Sequence, residues 1–260
     1  MDLGLKNQHV LITGGSKGIG LACAKLYLSE GAKVSLISRA IDHLENAKGE
    51  LSKLGIVHVF AGDLSQVGVA EPLFKKIEQE CGAIDILVNS AGAAKRTPAF
   101  ELTEKAWHDA FDAKFFTYIH SMNAVLPLMT KRQRGVVVNV IGMGGKVASS
   151  IHIAGGASNS ALMLATAGLG NAYAEHQIRV LAVNPGLTMT ERLQEGLAVE
   201  ACRKGISIEV ALSQASEKMP LGRIATADEI ADTVVYLSSN RASYVNGTSL
   251  SLDGGLSTVI

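Results

Sequence analysis

The sequence predicts one α/β domain, a doubly wound parallel sheet with helices on both faces. Short β-branched runs alternate with helical stretches along the whole chain. Most of those runs are continuously apolar, which suits strands covered on both faces. The segments between them are long enough for the crossover helices that parallel neighbours require. In order, the strand-like runs are His9–Thr13, Val34–Ser38, Ile56–Phe60, Ile84–Val88, Val136–Ile141 and Val180–Val183. Helical stretches are expected at about 18–30, 40–54, 66–80, 103–131, 157–175 and 226–239. No linker, low-complexity tract or internal repeat divides the 260 residues, so 1–260 reads as a single domain. A helical excursion at about 191–219 breaks the rhythm and has no strand after it. An insertion of that size is either a lid over a site or an inert surface elaboration.

Composition narrows the function classes. Lys and Arg number 24 and Asp and Glu 24, for a net charge of zero, and no basic block is present. Nucleic acid is therefore a poor partner, because binding it rests on phosphate neutralisation. An apolar fraction of 47% with 18% charged residues fits a packed core and opposes disorder. No apolar run reaches the ~18 residues of a membrane span, and the opening MDLGLKNQHV lacks a signal-peptide layout. The three cysteines, Cys23, Cys81 and Cys202, are far apart with no CxxC spacing, so a reduced, cytoplasmic setting is expected. The histidines show no metal spacing, and no metal site is expected.

The first chemical signal follows the first strand, where Thr13-Gly14-Gly15-Ser16-Lys17-Gly18-Ile19-Gly20 opens a helix. Glycines there let the backbone approach a pyrophosphate, and the helix N-terminus supplies N–H donors. At the end of the second strand stand Ser38 and Arg39, 19 residues past Gly20, where a carboxylate would grip a ribose 2′-hydroxyl. A guanidinium there suits a 2′-phosphate instead, and Lys17 adds a second positive group. The expected cofactor is thus NADP(H); the other reading of Arg39 is a solvated residue at a helix start.

With these motifs the chain resembles the short-chain dehydrogenase/reductase family, of Rossmann-like fold. Thr13–Gly20 matches the family's TGxxxGxG, Asp63 its adenine-side acid, and Asn89-Ser90-Ala91-Gly92 its NNAG. Asn184-Pro185-Gly186 with Thr188 and Thr190 matches its PG motif, and Pro220–Arg223 and Gly247–Gly255 its closing pattern. The resemblance implies a nucleotide site of Gly14, Ser16, Lys17, Gly18, Ile19, Gly20, Ser38, Arg39, Asp63, Leu64, Asn89, Ala91, Gly92, Pro185, Gly186 and Thr188.

At the catalytic end the resemblance implies replacements. The family's Ser falls on Gly142, its Tyr on Gly155, its Lys on Asn159 and its helix Asn on Lys114, so Lys and Asn look exchanged. Lys114 lies on an apolar stripe with Trp107, Phe111, Tyr118, Met122 and Val125. A lysine there either opens onto a polar cavity or snorkels to solvent. His152 is the nearest group with a reference pKa suited to proton transfer at neutral pH, or else a substrate-loop histidine without that duty. Ser149, Ser150 and Ser158 are candidates to bind a substrate oxygen, and Gly155-Gly156 are expected to leave room for a larger substrate. Candidate catalytic residues are therefore Lys114, His152 and Asn159.

Two functions follow: an NADP(H)-dependent oxidoreductase of a carbonyl/alcohol pair with a non-standard proton donor, or an inactive member serving as a nucleotide sensor or a non-catalytic subunit. The expected partner is a small molecule, largely apolar given Met143, Leu187 and Met189. The resemblance implies a homo-oligomer, dimer or tetramer, or a mixture with a paralogue.

Overall fold

The computed structural model describes residues 1–92 and 94–258, with backbone alone at 203. Seven parallel strands form the sheet: β1 (His9–Thr13), β2 (Lys33–Ser38), β3 (Val57–Ala61), β4 (Ile86–Asn89), β5 (Gly135–Val140), β6 (Ile178–Pro185) and β9 (Ser249–Leu252). Their spatial order is β3-β2-β1-β4-β5-β6-β9. The order reverses between β1 and β4, which opens a crevice at the carboxyl ends of those strands. A two-residue ladder, β7 (Thr188–Met189) with β8 (Ala225–Thr226), lies outside this sheet. The helices are α1 (Gly18–Ser29), α2 (Ile41–Leu51), α3 (Ala70–Cys81), α4 (Glu104–Phe111), α5 (Thr117–Arg132), α6 (Ile153–Ala172), α7 (Glu191–Lys204), α8 (Ile208–Glu217) and α9 (Ala227–Ser238).

The apolar strands bury both faces, as their patterning demands. In β1, Val10 and Ile12 pack into a core with Tyr27, Leu28, Leu44, Ile230 and Val234 under α1, α2 and α9. Leu11 points the other way, to Phe74, Tyr118, Met122, Val125 and Leu162 under α3, α5 and α6. Period-two alternation therefore sends one continuous apolar run into two cores. Arg179 closes the C-terminal end of α9 by donating to the carbonyls of Leu237, Ser238 and Ser239.

Three expectations need correction. The edge strand β9 is a seventh strand that alternation of apolar runs missed: its four residues are only partly buried, or exposed, as an edge permits. The expected helix 157–175 starts earlier, at Ile153, so the tandem glycines lie inside it. They are accommodated because α6 packs on the turn Met143–Gly145, where a Cβ on Gly156 would come within 2.7 Å of Gly144 O. The expected helix 103–131 is interrupted by a π-helical turn, Asp112–Phe116. The Thr117 hydroxyl donates to Asp112 O (3.0 Å), taking up a carbonyl in that widened turn. The 191–219 excursion is the hairpin of α7 and α8, which share a small core of Leu197, Ala201 and Ala211.

The π turn fits against the loop after β4 only because residue 92 is glycine. Gly92 has φ +89°, and a Cβ there would overlap Ala113 O. Gly92→Ala is expected to lower the unfolding free energy by at least about 1–2 kcal/mol. Gly49→Ala, in the last turn of α2 with open space around it, is expected to raise it by up to about 0.5–1 kcal/mol. Urea denaturation of the two variants measures both signs.

Candidate active site

The crevice at the carboxyl ends of β1 and β4 begins with the glycine turn. Gly14, at φ +68°, lies so close to β4's exit that a Cβ would come within 2.7 Å of the Ala91 backbone. A Cβ on Gly20 would overlap Gly14 O. These two glycines therefore set the backbone packing of the turn. Lys17 occupies the N-cap of α1 and its side chain makes no capping bond, so the positive end of that helix is uncapped by side chains. Gly18 faces the Thr190 methyl across the crevice at 3.5 Å from where a Cβ would stand.

Further along the sheet edge, Arg39 is exposed after β2, and the Ser38 hydroxyl donates to Ala40 O. Asp63 follows β3, its Oδ1 accepting from the amide and hydroxyl of Ser65. Lys17 pairs with Glu191 at 3.6 Å, an exposed contact that joins the glycine turn to the first residue of α7 and is worth little by itself. Leu64 is buried, and His120 lies 2.9 Å from its carbonyl oxygen. Asn89 is fully buried. Its amide accepts from Thr13 Oγ1 and donates to Asn139 Oδ1, so it ties β1, β4 and β5 together beneath the crevice rather than entering it.

One cavity of about 600 Å³ gathers the remaining segments. Ile19, Gly92, Lys114, His152, Pro185, Gly186 and Thr188 all line it. Asn159 does not; it stands behind the wall, its Nδ2 3.5 Å from where a Cβ of Gly142 would be. Its Oδ1 is buried without a hydrogen-bond partner. Ser158 is committed to Gly155 O, and Ser149 and Ser150 are exposed. A second cavity, of about 480 Å³, lies at the opposite end of the sheet near Gln8, Asp85 and Arg134. Arg134 and Asp85 there are paired at 2.8 Å. Among the described residues no three His, Cys, Asp or Glu side chains are grouped as metal ligands.

Lys114 is a buried charge. It sits in the π turn, 7% exposed, and donates to Val140 O at 3.0 Å and to the Tyr118 hydroxyl at 2.8 Å. Tyr118 in turn donates to the same carbonyl. Burial, with the Arg192 guanidinium second, pushes the Lys114 ammonium down from its ordinary 10.5 to about 7. Nearby stands His152, the N-cap residue of α6. Its N–H donates to Ser149 O and its carbonyl accepts from Gly156. Burial first, then the charges of Arg96, Arg192 and Lys114, lower its pKa, so the imidazole is neutral at pH 7. The Nδ1 is buried without a partner.

The room expected at Gly155 is already filled. A Cβ on Gly155 would overlap the Cε1 edge of the His152 ring, with Nε2 at 2.5 Å. The imidazole therefore occupies the space in which a side chain at 155 would start, and the glycine is what admits it. Sequence reasoning also missed Arg96 and Arg192, which line the cavity. Both follow closely on the motifs after β4 and β6, and that adjacency was the available signal.

A family profile, described as short chain dehydrogenase, matches residues 8–200. The chain belongs to the short chain dehydrogenase family. An uncharacterised oxidoreductase of Bacillus subtilis, YvrD, is 33% identical over 98% of each chain. The NADPH-dependent reductase BacG of the same organism is 27% identical, covering 96% of this chain and 98% of its own. The structure of L-sorbose reductase from Gluconobacter frateurii with NADPH and L-sorbose superposes with a TM-score of 0.95 at 26% identity, over 100% of both chains. The parallel seven-stranded domain is thus the fold of these reductases, and the chain is of the oxidoreductase kind. No helix among the described residues is long and apolar enough to cross a membrane.

Lys114 gives a stability prediction with a definite sign. Its folded pKa lies below its unfolded value, so between about pH 7 and 10.5 the unfolded chain holds the extra proton. The penalty for burying the charge is full below pH 7 and disappears above 10.5. Lys114→Met is expected to be more stable than the wild type by about 2–5 kcal/mol at pH 6. That advantage shrinks as pH rises to 10, which guanidinium denaturation at the two pH values reads directly.

Proposed function

We propose that the protein is an NADPH-dependent reductase of a carbonyl compound, interconverting it with an alcohol, in which Lys114 supplies the proton. The observation that carries this reading is the buried Lys114 ammonium, held near neutral pKa on the wall of the cavity that the glycine turn opens into. The residues present fit the dinucleotide. The uncapped N-terminus of α1 is suited to the pyrophosphate, and exposed Arg39, with Lys17 beside the turn, to a 2′-phosphate. A phosphate displaces the weak contact of Lys17 with Glu191 readily. NADPH-dependence in BacG and bound NADPH in the sorbose reductase structure support the same choice.

When bound, the reduced nicotinamide supplies a hydride to the carbonyl carbon. The protein's part is the proton. Lys114, oriented by Val140 O and the Tyr118 hydroxyl, delivers it from Nζ to the carbonyl oxygen, which becomes the alcohol, and the resulting amine is reprotonated from water. A lysine with pKa near 7 is matched to that work at neutral pH, whereas one at 10.5 holds its proton too tightly. His152, neutral and seated in the space above Gly155, offers its imidazole to the substrate oxygen as a hydrogen-bonding partner. Asn159, behind the cavity wall beside Gly142, is given no contact with the ligand. The α7–α8 hairpin acts as the lid. Exposed Trp107, Phe116 and Leu164 supply apolar surface for a homo-oligomer.

Two outcomes are expected. NADPH binds at least about tenfold more tightly than NADH, and Arg39→Ala removes the preference, as loss of a charge-assisted contact worth ~1.4 kcal/mol or more requires. Lys114→Met keeps the dissociation constant for NADPH within about twofold but lowers kcat by roughly 10²–10⁴. Full turnover in Lys114→Met contradicts the role given to it. NADPH binding without turnover of any carbonyl substrate by the wild type favours the sensor or non-catalytic subunit.

A further inference from the structure

The outer part of the same cavity carries charge that proton transfer does not use. Arg96 in the loop after β4, Arg192 in the first turn of α7 and Lys218 after α8 line it together with Lys114. Against these four cations, the described lining residues include one carboxylate, Glu200. Arg192 is fixed by donating Nη2 to the carbonyl of buried Ala94 at 3.2 Å. That bond uses one donor of the guanidinium fork and leaves the rest of it open. Its pKa is lowered by burial and then by Arg96, with Glu195 offsetting this in part. Arg96 and Lys218 form no salt bridge among the described residues.

Beyond the effect of burial, the guanidinium of Arg96 acts on that of Arg192 strongly enough to lower its pKa, and Glu195 offsets this only in part. Such an arrangement is stabilised by an oxyanion that accepts from both. Arg96, Arg192 and Lys218 are exposed to solvent, but Arg192 is also anchored on Ala94 O and lines the cavity with Lys114, which free surface charge does not require. We propose that the substrate is an anionic carbonyl compound whose carboxylate or phosphate is held between Arg96 and Arg192, with Lys218 at the rim. This rests on the reductase reading for the fate of the carbonyl, but the anion site stands independently of turnover. It departs from the expectation of a largely apolar substrate: of Met143, Leu187 and Met189, Leu187 alone lines the cavity, although Ile19, Ile141, Leu193 and Leu197 line it too.

The site also couples binding to chemistry. Lys114 is faced by Arg192 from α7, by His152 from the start of α6, by Tyr118 from α5 and by Val140 O from β5. An oxyanion on Arg192 offsets the repulsion that this guanidinium exerts on Lys114, and so favours the protonated ammonium that the reduction consumes.

Calorimetry on protein saturated with NADP⁺, which occupies the Lys17 and Arg39 end, tests the site with matched probes. The carboxylate arm compares 3-hydroxybutyrate with its methyl ester; the phosphate arm compares glycerol 3-phosphate with glycerol. At least one anion is expected to bind tenfold or more tightly than its neutral partner, and the arm that shows it names the group. Arg96→Gln with Arg192→Gln removes the preference, while Lys114→Met, which leaves both arginines in place, retains it. Equal binding of both members in both arms, no binding of either anion, or a preference that survives the double substitution overturns the proposal. If the anion preference holds while no carbonyl compound is reduced, the reductase reading fails and the anion site remains.

Discussion

A buried lysine without a carboxylate partner is the constraint around which this site is arranged. Placing an ammonium at 7% exposure costs several kcal/mol unless polar groups receive it. The protein provides two, Val140 O and the Tyr118 hydroxyl. Supplying them fixes much else. The helix that carries Lys114 widens into a π turn at that residue, as helices often do where function intrudes. Thr117 takes up a carbonyl in the turn, and only a glycine at 92 allows the loop after β4 to lie against it. The widened turn and the positive-φ glycine are unfavourable for folding by themselves, and the Thr117 bond compensates the first of them.

His152 and Gly155 form a second linked pair. The imidazole sits where a side chain on residue 155 would begin, so a glycine in the first turn of α6 is the condition for the ring's position. The cost of a glycine in a helix, about 1 kcal/mol, is offset by close packing of α6 on the turn at Met143–Gly145. Neutral by burial and by surrounding cations, the imidazole brings hydrogen-bonding capacity into the cavity without adding to its positive charge.

The fold was readable from the sequence because its signals are local and periodic. Continuous apolar runs, helical connections and the Gly14–Gly18–Gly20 spacing located six strands and the crevice. The edge strand β9 escaped because four half-exposed residues carry little apolar signal. The site was readable only in part. Lys114 stood out as a charge on an apolar stripe, and His152 as a titratable residue near the glycines. Their surroundings depend on contacts between segments far apart in the chain. The ring of His152 over Gly155, the anchoring of Arg192 on Ala94 O and the commitment of Asn89 to Thr13 and Asn139 have no local pattern. For the same reason the sequence drew attention to apolar neighbours, while the cavity wall combines Ile19, Leu187, Leu193 and Leu197 with Arg96, Lys114, Arg192 and Lys218.

Proton delivery depends on the protonation state of one side chain, and a direct titration of it is the most telling measurement. Protein carrying ¹³C- and ¹⁵N-labelled lysine, with Lys114→Met to assign the signal, gives the Nζ titration curve by NMR. A midpoint near 7, well apart from the other lysines, is the result this account predicts. A midpoint near 10.5 contradicts it, and with it the role of Lys114 as the proton donor.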